Sequence, residues 1–407
     1  MSRVWILHQY ATTPETGTGL RHHTFARMLA GMGHDVHMVV ASWHHYLREP
    51  DRALPAREER DGYTLIRLPV ARYSRSQDPR RILNWISFAR KLRRLPKMIS
   101  EPPDAIFCAA PSLLAFTGAE WLAKKTGARL IFEVRDIWPL TLQELAGFSD
   151  YNPLIAWMQR VEDRAYRVSD AVISNLPNAV EHMVSRGMDR DKFTWIPNGF
   201  IREAFEDVQP VSRAQAGLPE DKFVIGYAGT MGLANDLSNF VAAADLLRER
   251  TDIALVLIGR GASRDELAQD IKSRGLTNIR ILPPISKDDV PAMLAAFDAC
   301  HIGLMRAPLF RFGVSPNKLF EYFMAAKPIT YAIDSGDYKP VEAAGAGIQV
   351  PPSEPEPLAR AIETLADMTP QERSEMGARG RAYALERHEY GYLTRKLERL
   401  LFPKDNA

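Results

Sequence analysis

Short apolar runs alternate with amphipathic stretches along the first half of the chain. Five runs have the length of a strand: 4–7, 35–40, 104–109, 129–134 and 171–174. Helical patterns lie between them, at 22–32, at 113–125 and over a longer stretch that ends near residue 167. A buried parallel strand reads as a continuous apolar run, whereas a crossover helix shows a period near 3.6 residues. The first half is therefore predicted to be a doubly wound α/β domain, in which ligands bind beyond the carboxyl ends of the strands.

The second half repeats this alternation. Its predicted strands are 223–228, 253–258, 279–282, 299–304, 329–333 and 347–350. Its predicted helices are 237–248, 264–274, 287–297, 315–326, 355–368 and 370–386, followed by a basic amphipathic helix at 390–401. This spacing indicates a second parallel sheet, and the polar segment 201–221, with Pro210 and Pro219, is interpreted as a linker. We expect one Rossmann-like domain over 1–200 and another over 222–387, with residues 388–407 packing back on the first.

The composition is that of a soluble globular protein. The 407 residues are 46% hydrophobic and 25% charged, carry a net charge of +2, and suffice for two domains with separate cores. The N-terminal apolar run is too short for a signal peptide, and no window of about 18 residues is apolar enough to span a bilayer. Cys108 and Cys300 lie far apart inside apolar runs, which favours buried thiols in a reducing cytoplasm. The histidine pairs 22–23 and 44–45 point their side chains apart, so no metal site is predicted.

The segment 313–328 carries the strongest local signal for a binding site. Ser315 suits an N-cap and Pro316 the first helical position, so a helix is predicted from here to about residue 326. The free N–H groups at its start favour a phosphate, and Lys318 in the first turn suits an anion lying between it and the helix. Glu321, one turn further, could accept hydrogen bonds from two hydroxyls, as in a ribose diphosphate. The alternative is an ordinary capped helix with a solvated lysine and glutamate.

Chemistry-bearing residues also follow two strands of the first half. Gly17 and Gly19 lie in the loop after the first strand, without the G-x-G-x-x-G spacing or the acid that NAD binding requires. These glycines are instead expected to let the backbone approach a phosphate or a sugar closely. Arg135 and Asp136 follow the strand at 129–134, where α/β domains place their chemistry. They are candidates for catalysis and equally for a structural ion pair that stabilises the loop.

The stretch 72–97 is strongly basic. Asp78 is its single acid, against nine cations: Arg72, Arg75, Arg80, Arg81, Arg90, Lys91, Arg93, Arg94 and Lys97. Bulky apolar residues and Trp85 lie among them, a pattern typical of a helix that contacts anionic lipid. Each cation near such a surface contributes about 1 kcal/mol. The alternative is a domain helix whose apolar side faces the core and whose arginines face water; nucleic acid is less favoured because no binding motif accompanies the charge.

Four of these features together resemble family-4 retaining glycosyltransferases of the GT-B fold. They are the glycine loop after the first strand, Ile-Pro-Asn-Gly at 196–199, Tyr-Ala-Gly-Thr at 227–230 and the segment 313–328. The resemblance covers almost the whole chain and is closest to members encoded in O-antigen, capsule and colanic-acid clusters, such as N-acetylfucosaminyl transferases. It implies two Rossmann-like domains facing a central cleft, the first binding an acceptor and the second a nucleotide-sugar.

The resemblance also implies a donor-binding set: Gly17, Gly19, Gly229, Thr230, Arg260, Ser315, Pro316, Asn317, Lys318 and Glu321. Two expected features are absent. The family's first acid falls at position 313, which is glycine here, and the cations that usually follow the 227–230 motif are missing. Phosphate charge is therefore expected to fall to Lys318, to Arg260 or Arg311, and to backbone amides.

The implied activity is transfer, with retention, of an N-acetylated or deoxy-amino hexose from a UDP donor to a polyprenyl-diphosphate-linked saccharide. A phosphate oxygen of the leaving group can take the acceptor's proton, so neither a protein nucleophile nor a metal cofactor is expected. Lys318, Arg135 and Asp136 are the predicted catalytic residues, although the histidine that the family often carries beside the latter two is absent. The protein is expected on the inner face of the cytoplasmic membrane. A GT-B UDP-sugar 2-epimerase and a non-catalytic two-domain binder stay open as alternatives.

Overall fold

The computed structural model describes residues 1–403 except 75–77, 110, 207 and 210, and describes only the backbone at 145 and 146. These residues form two compact units. The first runs from Met1 to Pro197 and includes the C-terminal segment from Tyr390, and the second runs from Asn198 to Glu389. Arg75 of the basic stretch, Pro210 of the predicted linker and the last four residues lie outside the described part of the chain.

A twisted sheet forms the centre of the first unit. Its eight strands are β1 Arg3–His8, β2 Asp35–Ala41, β3 Arg57–Arg60, β4 Tyr63–Leu68, β5 Ala105–Ala109, β6 Arg129–Val134, β7 Ala171–Ser174 and β8 Phe193–Trp195. They lie in the order β3-β4-β2-β1-β5-β6-β7-β8, and every neighbouring pair is parallel apart from the antiparallel pair β3 and β4. The strand order runs outward in both directions from β1 and β5, which confirms the predicted doubly wound fold.

Helices cover both faces of this sheet. They are α1 Arg21–Gly31, α2 Arg81–Leu92, α3 Ala115–Thr126, α4 Leu140–Ala146, α5 Pro153–Val168 and α6 Val180–Ser185. The prediction of one long helix ending near residue 167 is wrong. Gly147 ends α4 with a left-handed φ of 67°, and the Asn152 side chain accepts the Leu154 N–H at the start of α5, 2.9 Å away. A glycine in that conformation followed by a capped proline start makes two helices.

The hairpin of β3 and β4 was not predicted from the sequence. The sequence of β3 is Arg-Glu-Glu-Arg and has no apolar run, because this edge strand buries little surface. Its turn consists of Asp61 and Gly62, with φ of 47° and 85°. Two successive positive φ angles match the right-handed twist of the strands that the turn joins.

A six-stranded parallel sheet forms the centre of the second unit. Its strands are β9 Phe223–Ala228, β10 Ile253–Ile258, β11 Ile279–Leu282, β12 Ala299–Gly303, β13 Ile329–Ala332 and β14 Gly347–Gln349. Its helices are α7 Leu237–Leu246, α8 Arg264–Ser273, α9 Val290–Ala295, α10 Asn317–Met324, α11 Pro340–Ala343, α12 Pro355–Asp367 and α13 Pro370–Arg387. The strand order is β11-β10-β9-β12-β13-β14, so the order reverses between β9 and β12. The second doubly wound prediction is also confirmed.

Two hydrophobic cores lie on opposite faces of this sheet. Val224 and Ile225 are neighbours on β9, yet Val224 packs with Phe320 and Phe323 of α10, whereas Ile225 packs with Phe240 of α7. Because successive strand residues point to opposite faces, helices on both sides bury every residue of β9. This double burial explains why the strands of the second unit read as continuous apolar runs.

The last helix, α14 Tyr390–Leu401, packs on the first unit. The Tyr390 ring meets the Phe25 ring of α1 edge to face at 5.5 Å, and Leu393 and Leu397 are fully buried. Lys396 Nζ donates to the Trp195 carbonyl at 2.7 Å. A helix late in the chain therefore contributes to the core of the first unit.

Candidate functional site

Two glycine-rich loops meet at the carboxyl ends of β9 and β10. The Gly229 N–H donates to the Ile258 carbonyl, and the Met231 N–H donates to the Arg260 carbonyl, both at 2.9 Å. Gly259 has a φ of 145°, and a Cβ there would lie 1.9 Å from the Gly229 carbonyl oxygen. Only glycine allows the two backbones to approach so closely. β9 also borders the reversal of strand order, and α/β domains bind ligands at such a point.

Lys318 crosses the first of these loops from α10. A Cβ on Gly229 would lie 2.0 Å from Lys318 Cε, so the lysine stem occupies the space that a side chain would need. Its Nζ lies 3.4 Å from Asn235 Oδ1 and 5.0 Å from the centre of the Tyr227 ring. Within the described residues no carboxylate forms an ion pair with it, and burial lowers its pKa, against the pull of Glu321. A phosphate would complete this arrangement, because a largely buried ammonium without an anion is costly.

The start of α10 differs from the prediction. Pro316 has an extended ψ of 130° and occupies the N-cap position, so the helix begins at Asn317. Ser315 therefore does not cap it: its Oγ accepts the Asn198 N–H at 2.8 Å, and its carbonyl accepts from Asn198 Nδ2 at 2.6 Å. These bonds tie Asn198 to the segment before α10. Among the described residues no side chain caps the helix, so the N–H groups of Asn317 and Lys318 are left for another acceptor, while the Leu319 N–H donates to the Pro316 carbonyl.

Glu321 lies one turn into α10, and its side chain is only 15% exposed. Its carboxylate forms an ion pair with Lys287, which is 68% exposed and comes from the loop after β11. The alternative of a solvated Lys318 and Glu321 is therefore wrong, since both side chains are largely buried. The sequence could not reveal Lys287 as the partner, because 34 residues separate it from Glu321 and the loop has no motif.

Other predicted residues of the second unit lie around these loops. Thr230 is exposed, and its carbonyl accepts the Tyr227 hydroxyl at 2.5 Å. Arg260 is exposed and forms no ion pair in the described part of the chain. Arg311 stacks on Phe312 at 4.3 Å and donates to a neighbouring carbonyl. Position 313, where an acid was expected, has a φ of 89° and a ψ of 167°, a backbone conformation that disfavours any residue but glycine.

Gly17 and Gly19 belong to the first unit, whereas the other predicted donor residues belong to the second. A Cβ on Gly17 would lie 2.6 Å from Thr12 Cγ2, so this glycine allows the loop to fold against Thr12. The Gly19 N–H donates to Thr12 Oγ1 at 2.9 Å. Both glycines thus shape the loop between β1 and α1.

Arg135 and Asp136 follow β6, also in the first unit. Asp136 is exposed, and the two side chains do not form an ion pair with each other. The structural ion pair offered as an alternative is therefore wrong. Arg135 Nε is buried and has no hydrogen-bond partner among the described residues, and the same holds for His8 Nε2 and for both ring nitrogens of His44. Over the described ranges, no three His, Cys, Asp or Glu side chains come close enough together to hold a metal ion.

A buried ion network at the same edge of the sheet was not predicted from the sequence. Glu133 of β6 accepts from Arg21 Nε at 2.9 Å and contacts His22 Nε2 at 2.6 Å. Arg21 also donates to the carbonyls of Ile196 and Pro197. Burial alone would raise the pKa of Glu133, but Arg21 and His22 hold it well below its usual range. The network fixes the backbone of Ile196 and Pro197 to β6 and α1, and its members are too far apart in the sequence for any motif to reveal it.

The basic stretch forms α2, with its apolar side turned toward the core. Trp85 is 5% exposed, and its indole N–H donates to the Tyr10 hydroxyl, so the prediction that Trp85 contacts lipid is wrong. The Arg81 guanidinium lies 5.2 Å from the Trp85 ring, and Lys91 donates to the Pro69 carbonyl at 2.6 Å. Four predicted contact residues are exposed: Arg80, Arg90, Arg93 and Arg94. In the described part of the chain, no helix has both the length and the apolarity that a membrane span requires.

Two family models together match most of the chain. Residues 16–199 match the model described as a glycosyl transferase 4-like domain, and residues 208–383 match glycosyl transferases group 1. Among curated proteins, the chain is 26% identical over 302 residues to the putative colanic acid biosynthesis glycosyl transferase WcaI of Escherichia coli K12. That alignment covers 71% of this chain and 74% of the relative.

Solved structures share the fold over nearly the full length. Sucrose-phosphate synthase from Thermosynechococcus elongatus superposes with a TM-score of 0.75 at 18% identity, and covers 98% of both chains. Anabaena HepE, solved in complex with UDP and glucose, superposes with a TM-score of 0.69 at 17% identity, and covers 98% of this chain and 99% of its own.

Proposed function

The chain belongs to the glycosyl transferase 4-like and group 1 glycosyltransferases and has their GT-B fold, and we propose that it is a retaining enzyme of surface polysaccharide synthesis. Its donor is a UDP-linked hexose, N-acetylated or deoxy-amino, and its acceptor is a polyprenyl-diphosphate-linked saccharide. The relative WcaI, named for colanic acid biosynthesis, supports the pathway class, and HepE, solved with UDP and glucose, supports the donor class.

One observation carries the proposal: Lys318 is largely buried, has no anionic partner in the described residues, and crosses Gly229 next to the uncapped start of α10. A diphosphate at this point would accept hydrogen bonds from the Lys318 ammonium and from the first helical N–H groups together. Exposed Arg260, on the adjoining loop, supplies a second cation for the same group. Glu321 would then accept the ribose hydroxyls, once Lys287 has left its carboxylate.

The reaction needs little beyond this support for the leaving group. The bond between the anomeric carbon and the phosphate oxygen breaks, and the acceptor oxygen bonds to that carbon on the same face of the sugar. The acceptor's proton passes to the departing phosphate oxygen. Lys318 stabilises the charge that develops on the diphosphate, and a fixed donor in this role lowers a barrier by about 2.7–4 kcal/mol. Arg135 and Asp136 are proposed to orient the acceptor hydroxyl.

We propose that these cations serve the diphosphate in place of a metal ion. Lys318 and Arg260 both approach the loops after β9 and β10, where a bound cation would otherwise neutralise the phosphates. The check is transfer measured with excess EDTA and then with added Mg²⁺. Rates that agree within about twofold support the proposal, whereas loss of transfer on chelation and recovery with Mg²⁺ contradict it.

The exposed arginines within and next to α2 support a proposal on location: the protein binds the inner face of the cytoplasmic membrane, where its lipid-linked acceptor would lie. Arg80, Arg90, Arg93 and Arg94 point outward while the apolar side of α2 packs inside the unit. Such contact is electrostatic, so it weakens with salt. Sedimentation with anionic vesicles but not with neutral ones is the expected result, and indifference to lipid charge contradicts it.

Thermal denaturation with a panel of nucleotides tests the donor site. UDP at about 100 times its Kd should stabilise the protein by about 2.7 kcal/mol, more than GDP or ADP, and the Lys318→Ala variant should lose the effect. A radiolabelled sugar from the UDP-sugar that stabilises best should then appear in the lipid extract. Release of an epimerised UDP-sugar without any acceptor contradicts the transfer reaction, and stabilisation of the alanine variant equal to that of the wild type contradicts the site.

A further inference from the structure

Tyr46 is an exposed aromatic residue whose position is nevertheless fixed. It is 58% exposed, in the loop between β2 and β3. The Tyr10 ring meets it edge to face at 5.8 Å, and the His45 ring lies 4.1 Å away. The loop is tied down as well, because the Leu47 N–H donates to the His44 carbonyl at 3.2 Å. The Tyr46 ring is therefore held in place by neighbouring rings while more than half of its surface is exposed.

The residues beneath this ring form a rigid support. The Tyr10 hydroxyl accepts from the Trp85 indole and from Arg81 Nε, the latter at 3.3 Å. His45 Nδ1 lies 2.5 Å from the Tyr73 hydroxyl, and burial together with the charge of Arg81 lowers the pKa of His45 to about 4. His45 is thus neutral near pH 7, and hydrogen bonds hold the residues that support the ring. A side chain so well ordered loses little entropy when a ligand packs on it.

Polar groups stand beside the ring at the same edge of the sheet. The Trp138 ring, two residues after Asp136, lies 6.3 Å from the Trp85 ring, so the loop after β6 packs against the residues under Tyr46. Arg81 reaches the same place through its bond to the Tyr10 hydroxyl. Burial raises the pKa of the Tyr46 hydroxyl, and the charges of Arg81, Asp136 and Arg135 act on it as well. Asp136 is exposed and accepts no hydrogen bond in the described part of the chain. An apolar ring face flanked by a carboxylate and a guanidinium matches a pyranose, which has an apolar C–H face and a rim of hydroxyls.

We propose that Tyr46, Arg81 and Asp136 form a subsite for the acceptor saccharide, in which a pyranose packs on the exposed Tyr46 ring and its hydroxyls bind Asp136 and Arg81. The inference rests on the proposed function and adds the position at which the acceptor is recognised. It also gives Arg81 a role in sugar binding in place of lipid contact. Tyr10, His45 and Tyr73 are positioning residues, which keep the ring in place.

Tyr151 provides a matched control within the chain. It is 96% exposed, in the turn between α4 and α5, and no ring packs on it among the described residues. Exposure alone therefore does not distinguish the two tyrosines; the support under the ring and the polar groups beside it do. A change at Tyr151 removes a similar exposed ring without touching the proposed subsite.

The experiment compares Tyr46→Ala, Tyr46→Phe and Tyr151→Ala in the full chain. The acceptor probe is the polyprenyl-linked saccharide pool extracted from cells that lack this protein, titrated against a fixed UDP-sugar. Tyr46→Ala should raise the half-saturating amount of extract about tenfold, while Tyr46→Phe and Tyr151→Ala should change it less than about twofold. Thermal stabilisation by UDP should be the same in all three variants and in the wild type, which separates acceptor binding from donor binding.

Some results overturn the inference but leave the proposed function standing: a half-saturating amount for Tyr46→Ala equal to that of Tyr151→Ala, or a loss in Tyr46→Phe as large as in Tyr46→Ala. Lost stabilisation by UDP in Tyr46→Ala would also overturn it, since the ring would then act through the nucleotide. Absence of transfer by the wild-type chain with every UDP-sugar defeats the proposed function instead, and the inference with it.

Discussion

Each unit has a charged side chain near the carboxyl ends of its strands. In the first unit this charge has ion-pair partners, whereas in the second unit it has none among the described residues. Glu133 in the first unit is fully buried and is bonded to Arg21 and His22. Lys318 in the second unit is largely buried too, but it forms no ion pair with any described carboxylate; the Asn235 amide and the Tyr227 ring lie beside it, and Glu321 acts on it only through its charge. The paired charge stabilises the fold, whereas the unpaired charge is costly until an anion binds. The missing ion pair, rather than burial, therefore marks Lys318 as part of the proposed diphosphate site.

The largest expected effect comes from breaking the paired charge. Glu133→Gln leaves Arg21 buried without its anion, so the free energy of unfolding of the first unit should fall by about 3–5 kcal/mol. Hydrogen exchange of the β6 amides in the full chain measures this. The control is Glu101→Gln, since Glu101 is 68% exposed in its pair with Arg3 and should matter by less than about 1 kcal/mol.

The same pair predicts a pH dependence. The folded pKa of Glu133 lies well below its ordinary 4.5. The charged carboxylate therefore stabilises the fold fully above pH 4.5, and this stabilisation is lost as the pH falls from 4.5 toward the folded pKa. The stability gap between the wild type and Glu133→Gln should therefore narrow in acid. A gap that stays constant or widens below pH 4.5 would show that the carboxylate charge does not support the fold.

Removing the unpaired charge should leave the fold intact and impair the reaction. Lys318→Ala should raise the reaction barrier by about 2.7–4 kcal/mol and so lower turnover by a factor of about 100 to 1,000. The melting temperature without ligand should stay the same or rise, because a desolvated cation has been removed. Lys339→Ala, at a lysine 53% exposed, is the control for both measurements. Near-normal transfer by the Lys318 variant would contradict the assignment of Lys318 to the diphosphate.

A smaller effect should follow from displacing the lysine without removing it. Gly229→Ala puts a Cβ 2.0 Å from Lys318 Cε at a φ of 152°, whereas Gly232 in the same loop has only ordinary neighbours, the nearest at 3.6 Å. Strain of about 1–3 kcal/mol at Gly229 should weaken UDP binding about tenfold in calorimetry. Gly232→Ala should bind UDP like the wild type, and equal effects of the two changes would argue against a role for the Gly229 crossing.

The smallest effect concerns the cation on Glu321. If the ribose must displace Lys287, then Lys287→Ala should tighten UDP binding, by no more than about 1 kcal/mol because the pair is exposed on one side. Calorimetry beside Lys339→Ala measures the difference. Weaker binding in Lys287→Ala would mean that this lysine contacts the nucleotide itself.

Most strands of both sheets could be predicted closely from the sequence, because burial makes them unbroken apolar runs. β4 was missed although it is buried, since Thr64 and Arg67 interrupt its run, and the short strand β8 was missed too. Phe223–Ala228, Ile253–Ile258 and Arg129–Val134 begin and end where the runs do. Edge strand β3 gave no such signal, since its four residues are charged. Trp85 led to a wrong prediction, because a tryptophan among arginines is equally typical of a helix that faces lipid and of one that packs in a core.

The candidate site was only partly predictable. Lys318 and Glu321 stood out because both belong to one helical turn with a clear start. The start itself was misplaced: Ser315 bonds to Asn198, 117 residues away, and a contact of that kind has no local trace. The same is true of the pair of Lys287 with Glu321 and of the support under Tyr46, which draws on loops that follow different strands.

A crystal structure of the protein with UDP would show directly which residues hold the nucleotide. We expect the diphosphate within hydrogen-bond distance of Lys318 Nζ and of the first N–H groups of α10, with the ribose hydroxyls on Glu321 and Lys287 turned away. A well-ordered UDP bound elsewhere, with Lys318 still lacking an anion, would contradict it.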